Sequence, residues 1–409
     1  MKISILAMSS SEMVSSENNS TLSLIRSTLY KNGQEVLSST IVKPISKIIS
    51  TSLDYALQTA DCVLLLCENG LDKPYMAKRI ICEKFGSKLI NSIYAKKNIE
   101  EYAENNNVPF QKEDMSFYQM PDIARTVKNP LGIFQGCLCE KDGKILFLLP
   151  LSYAELSHMF FASVLPYILQ SKDSGIKTFV LKTYGLSFGE MQLVLKDFIN
   201  NKHNIEVVCN EYLGLGEIIV NVPKGVRSDL TDKFIQDMYT KVLPYVYSDK
   251  DEGEAEFIYT LLSMHHKKLC FAEDFTAGNM AATLFSNIEN AKEILKDSFV
   301  TIANSSKASV LGVSGELFNR PTLDYKEIAY QMAVGAINRS GADIVVSTFG
   351  DINKGELVFA IGNMEGIHIY TEHVDGSLEQ KIKMATNAAL FELIKKCKTG
   401  NFGMGKTII

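Results

Sequence analysis

Apolar positions along this chain fall into short uninterrupted runs, separated by stretches with helical spacing. Ile3–Met8 is one such run and predicts a buried strand; Thr21–Asn32 carries helical periodicity and stops at Gly33. Cys62–Cys67 is apolar at every position, the pattern of a strand covered on both faces of a parallel sheet. Lys144–Leu149 is another strand, closed by Pro150. This alternation predicts a doubly wound α/β domain over residues 1–165. The pattern then changes. Lys177–Thr183 reads as a strand, Gly189–Ile199 as a helix, and Asn204–Val208 and Glu217–Val222 alternate apolar and polar positions as antiparallel strands do. With the helix Ser228–Leu243 they predict a small α+β domain over 166–250. An acidic linker follows, from Ser248 to Glu256. The third domain, 251–409, is α/β: helix Glu254–Met264, then strands at Lys268–Phe271, Ser298–Ala303, Ile344–Thr348, Glu356–Ile361 and Ile367–His373, and a closing helix from Glu379 to Lys396.

Composition narrows the classes. The 409 residues are 46% hydrophobic and 22% charged, with a formal net charge of -5, so charge gives no reason to expect nucleic acid as a partner. No apolar run reaches the roughly 18 residues of a membrane span, and the first strand flows into polar sequence, unlike a secretion signal. The eight cysteines are scattered, without a C-x-x-C pair, which fits a reducing cytoplasm. The six histidines show no metal spacing. Gly400-Asn-Phe-Gly-Met-Gly405-Lys406-Thr407 satisfies the string of a phosphate-binding loop, but the chain ends two residues later, so no helix follows to face a phosphate. Gly185-Leu-Ser-Phe-Gly189 has the wrong spacing for an RNA-clamping G-x-x-G loop.

The segment with the most chemistry is Ala272-Glu273-Asp274-Phe275-Thr276-Ala277-Gly278. It resembles the A-E-S-C-T-G-G signature of the CinA (competence-damage-inducible) C-terminal domain. Asn304-Ser-Ser-Lys307 with Leu311-Gly-Val313 resembles the family's Y-S-N-x-x-K…L-G-V, and Ser340-Gly-Ala-Asp343 its lead into T-G-x-A-G-P. The resemblance spans the chain and implies three parts: a molybdopterin-binding-like domain linked to ADP-ribose pyrophosphatase activity, a KH-like insert, and a nicotinamide mononucleotide deamidase-like domain. It also implies a cytoplasmic homodimer acting on a pyridine nucleotide, and a divalent metal in the N-terminal domain.

The departures fall on polar and glycine positions. Asp274 stands where the family has its presumed nucleophilic Ser, Ile302 and Ala303 replace Tyr and Ser, and Tyr325 replaces a Ser. Thr348-Phe349-Gly350-Asp351 replaces the start of the glycine loop. In the first domain both Asp of G-G-L-G-P-T-x-D-D are absent, and the remnants are Asn19, Gly70, Asn129, Gly132 and Glu155. The resemblance assigns Asp274, Lys307 and Thr276 to the chemistry. It assigns Glu273, Ala277, Gly278, Asn304, Thr348 and Gly350 to substrate binding. A carboxylate attacking an amide forms an adduct that reverts, so Asp274 is a poor substitute for Ser as nucleophile. It is better suited to orienting a water, with Lys307 tuning it. Thr276 with the backbone at Ala277 and Gly278 is a candidate phosphate site at a helix N-terminus. The bland readings are an N-cap for Asp274, a surface lysine for Lys307, and turn roles for Asn129 and Gly132. Two functional classes therefore stay open: a pyridine-nucleotide hydrolase, and a catalytically silent binding or scaffold homologue.

Overall fold

The computed structural model describes residues 1–10, 16–70, 72–108, 115–171, 176–399 and 402, apart from the side chains of 16–19, 115 and 171. The phosphate-loop-like string therefore lies outside the described residues, Phe402 excepted. The chain forms two compact units, Met1–Thr178 and Phe179–Ile409. Among the described residues, no helix is long and apolar enough to cross a membrane.

The first unit is built on a six-stranded sheet. Its order is Glu35–Val42, Lys2–Met8, Cys62–Cys67, Lys144–Pro150, Gly136–Lys141 and Arg125–Val127. The first four strands are parallel, with Ile5 opposite Leu64 and Leu64 opposite Phe147. The other two pairings are antiparallel. Helix Ser16–Lys31 packs Leu22, Ile25 and Leu29 on one face, and helices Ser46–Thr59 and Asp72–Phe85 pack Leu53, Ile80 and Ile81 on the other. The fold is doubly wound. Its strand order reverses between Lys2–Met8 and Cys62–Cys67, and such a reversal opens a crevice beyond the strands' carboxyl ends. The boundary expected at residue 165 falls inside a continuous helical stretch, Tyr153–Ser171, which includes a π-helical turn at Phe160–Val164.

The second unit holds two sheets. One, in the order Glu206–Tyr212, Leu215–Pro223, Ile176–Tyr184 and Val246–Ser248, carries the α+β pattern read from the sequence. The expected helix 189–199 is broken at Leu195 into Phe188–Val194 and Lys196–Ile199. This sheet packs on the last helix, Leu378–Lys398: the rings of Tyr184 and Phe391 lie 4.8 Å apart, Asn387 donates to the Leu213 carbonyl, and Lys398 donates to that of Tyr247. That packing places the middle and last segments in one unit. The acidic linker is also pinned, because Ser248 donates to Glu252 at 2.6 Å and Lys182 pairs with both Glu217 and Asp251.

The second sheet runs Leu295–Val300, Leu269–Glu273, Ile344–Asp351, Glu356–Asn363 and Gly366–His373. The first three strands are parallel and the last two pairings antiparallel. Leu269–Glu273 is buried at every position because helices cover both faces. Helix Tyr325–Ser340 fits closely against helix Asn304–Leu311 at Gly335, where an added Cβ would come within 1.8 Å of the Leu311 carbonyl oxygen.

Candidate functional site

In the second unit the sequence-predicted residues gather at the carboxyl ends of two neighbouring strands, where Glu273 lies opposite Thr348. Asp274–Gly278 then turns into helix Asn279–Asn287 through two consecutive residues with positive φ, Ala277 at 49° and Gly278 at 92°. The turn aims Glu273 inward. Its fully buried carboxylate accepts from the Thr276 hydroxyl at 2.8 Å, from the backbone N–H groups of Met280 and Ala281 at 3.0 and 3.1 Å, and from Ser298 at 3.1 Å. A negative charge on the first free N–H groups of a helix is favourable, and here the protein supplies it. Thr276 spends its one proton on Glu273, so the 2.8 Å contact to Thr348 is donated by Thr348.

This geometry bears on two expectations. At the phosphate site expected at Thr276, Ala277 and Gly278, the Ala277 N–H bonds back to the Asp274 carbonyl, and Glu273 takes the next helix N–H groups, those of Met280 and Ala281. Glu273, Thr276 and Thr348 are each fully buried, and Thr276 links the other two, so the three brace the strand ends. Asn304 is exposed at the start of helix Asn304–Leu311. At Gly350 an added Cβ would meet the Glu356 carbonyl oxygen at 2.0 Å, so that glycine permits a close backbone approach.

Asp274 and Lys307 do meet. The Lys307 ammonium donates to Asp274 Oδ1 at 2.6 Å and to the Ile302 carbonyl at 2.7 Å, and it lies 5.2 Å from the centre of the Phe349 ring. The Lys307 side chain is 1% exposed and that of Asp274 15%. Lys307 is therefore no surface lysine. Burial holds the Asp274 carboxyl above the ordinary aspartate range, and the hydrogen bond and charge of Lys307 offset that rise only in part. Removing either partner of such a pair strands a charge, which is the costly case for buried ions. Thr301 escaped the sequence reading. Its hydroxyl is buried without a hydrogen-bond partner, while its N–H bonds the Glu273 carbonyl.

A groove of about 1090 Å³ lies at the same edge of the sheet, lined among others by Arg320, Asp324, Tyr325, Lys354, Glu356 and His373. That volume exceeds the roughly 300–1,000 Å³ of enclosed small-molecule sites, as befits an open groove. Tyr325 packs edge-to-face on Phe349, with ring centres 5.6 Å apart.

In the first unit the remnants converge at the strand-order reversal. Glu155 accepts from the amides of Asn69 at 2.7 Å and Asn129 at 2.6 Å, and a Cβ on Gly132 would meet Glu155 Oε2 at 2.3 Å. Asn129 also donates to the Phe134 carbonyl, and Gln135 holds the loop by bonding the carbonyls of Asn129 and Gly132. The expected turn role of Asn129 is thus combined with an anchor on Glu155. Gly70 sits beside Asn69 with φ 150°, and an added Cβ there would meet nothing within 4 Å, while the Asn19 side chain lies outside the described residues.

Four residues absent from the sequence assignment complete this cluster. Ser9, Ser10 and Lys73 surround Glu68, with contacts of 2.5 Å each to its carboxylate. Burial alone would raise that carboxyl, but bonds from Lys73, Ser10 and Ser9 outweigh it and hold the group at about 2. The signal for Glu68 was its place directly after an all-apolar parallel strand. The donor set does not fit the divalent metal implied by the resemblance, because both carboxylates already accept from ammonium, hydroxyl or amide groups. Among the described residues no three His, Cys, Asp or Glu side chains converge as a metal site.

Comparison with known proteins bears on these features. Residues 251–397 match the family model described as CinA C-terminal domain. A putative competence-damage inducible protein of Caldicellulosiruptor saccharolyticus is 27% identical over 302 residues, covering 73% of each chain. A CinA-like protein of Dictyoglomus thermophilum is 24% identical over 355 residues, covering 86% of each. The last third of the chain therefore matches the CinA C-terminal domain, and the chain is similar over most of its length to CinA-like proteins. Among solved structures, the competence/damage inducible protein CihA of Agrobacterium tumefaciens aligns with 36% of this chain and 98% of its own, at 24% identity and a TM-score of 0.33. The likeness rests on the sequence matches. Asp274, which the resemblance sets in the place of a Ser, is the residue whose carboxylate Lys307 binds.

Proposed function

We propose that this CinA-like chain binds a pyridine nucleotide or a related phosphorylated small molecule without hydrolysing its amide. The observation that carries the reading is the 2.6 Å bond from the Lys307 ammonium to Asp274, with the Lys307 side chain 1% exposed. A base or phosphate partner must face its substrate, and this one faces its own chain. Amide hydrolysis also needs an activated nucleophile and donors for the oxyanion. The carboxylate at 274 supplies no stable acyl intermediate, and the N–H groups of Met280 and Ala281 are held by Glu273. The groove beside Tyr325 and the crevice at Glu68 and Glu155 are the places where a ligand would lodge.

The decisive measurement is purified protein with nicotinamide mononucleotide, followed for ammonia and for melting temperature. The expected result is a ligand-dependent rise in melting temperature with no ammonia. Ammonia released by the wild type and lost in Lys307→Ala would overturn it. It would support a second reading, favoured by the raised Asp274 carboxyl: a nicotinamide mononucleotide amidohydrolase in which Asp274 takes a proton from water. The same melting test with ADP-ribose addresses the first unit.

A further inference from the structure

Two aromatic residues stand between the groove of the second unit and its buried ion pair. Tyr325 lines the groove and is half-buried. Phe349 is 4% exposed and touches both neighbours: the Tyr325 ring edge-to-face at 5.6 Å, and the Lys307 ammonium at 5.2 Å from its own ring centre. The ammonium is attracted to the ring face as well as to Asp274, so the three side chains and the carboxylate form one packed stack. Both aromatics stand where the resemblance places small residues, a Ser at 325 and a glycine loop at 348–355.

We propose that Tyr325 and Phe349 form an aromatic partition that screens Lys307 from the groove and sets what the groove accepts. A ligand there meets the Tyr325 ring as its inner wall, with Arg320 and Lys354 and the carboxylates Asp324, Glu356 and Glu372 around it. A ligand with a flat ring and a phosphate fits that arrangement, because the ring can stack on Tyr325 and the phosphate can pair with Arg320 or Lys354. Nothing in the groove then reaches Lys307 until the partition is opened. This deepens the binding reading given above by naming the residues that separate binding from chemistry.

The test reads the accessibility of the Lys307 amine, which is independent of turnover. The folded protein is treated with formaldehyde and a borane reductant, and methylation of each lysine is followed by mass spectrometry. Lys326 and Lys354, both exposed, serve as reference sites. Lys307 is expected to stay unmodified while the reference sites react. In Phe349→Ala and in Tyr325→Ser its rate should rise about tenfold or more, since access no longer waits on local opening. Phe349→Leu, which keeps an apolar cover, should remain protected. Lys307 reacting in the wild type as fast as Lys354 would overturn the partition, and so would continued protection in folded Tyr325→Ser. Tyr325 is half-buried, so that variant decides the matter if Phe349→Ala does not fold. Failure of nucleotide binding with Lys307 still protected would sink the proposed function and leave the partition standing.

Discussion

Glu68 and Glu273 occupy equivalent places in the two units, each at the carboxyl end of a strand with parallel neighbours, yet their partners are of different kinds. Glu68 is held by the side chains of Ser9, Ser10 and Lys73, and a fifth of its own side chain is exposed. Glu273 is fully buried, and two of its four partners are backbone N–H groups at the start of a helix. Side-chain donors can rotate away and bind something else. Backbone donors are released only by unwinding the helix that owns them. The groups around Glu68 can therefore rearrange without unfolding a helix, whereas those around Glu273 hold strand and helix together.

That contrast is sharpest at Lys307. Lys307→Ala should cost about 3–5 kcal/mol in urea unfolding, because it leaves the Asp274 carboxylate buried and unpaired. The double change Lys307→Met with Asp274→Leu should recover most of that loss. A loss under 1 kcal/mol in the single variant would mean that the pair is solvated and does not hold the second unit together in this way. Next in size is Glu273→Ala, which strips the partners from Met280 N–H, Ala281 N–H and Thr276 and should cost about 3 kcal/mol. Glu273→Gln, which retains one acceptor, should cost less.

In the first unit Gly132→Ala forces a methyl against Glu155 and should cost about 1–3 kcal/mol. If the cluster takes a ligand as proposed, the same change should weaken nucleotide binding more than it weakens the fold.

The smallest effect expected is a pH slope from Glu68. Its folded carboxyl is held at about 2 against a reference of 4.5, so its contribution is present above the reference value and is lost as pH falls from there toward 2. Lys73→Met should flatten stability over that window; its exposure keeps the effect small. A slope unchanged in Lys73→Met would remove Lys73 from the account.

How much of this was legible depended on burial. Cys62–Cys67 and the strand ending at Glu273 were readable because central parallel strands are apolar without interruption. Strand Glu35–Val42 was not, because Ser38-Ser39-Thr40 breaks its apolar run and an edge strand tolerates that. Asp274 and Lys307 were both named from the sequence. Their meeting depends on adjacency of the strands that end at Glu273 and Val300, which a reading along the chain does not measure. The inward turn of Glu273 was missed for another reason. A carboxylate before a turn looks the same whether it faces a ligand or caps its own helix, and only the positive φ angles at Ala277 and Gly278 decide it. Glu68 and Lys73 were overlooked because they contact Ser9 and Ser10, some sixty positions away.

All eight thiols are buried, five in the first unit and three in the second. Burial pushes Cys62 and Cys67 up to about 12 on one side, and Cys397 to about 12 and Cys209 and Cys270 to about 11 on the other. In intact molecules these five thiols should thus ignore alkylating reagents at neutral pH. Each half of the protein carries its own concealed timers, and the order in which they acquire a label would tell which half comes apart first.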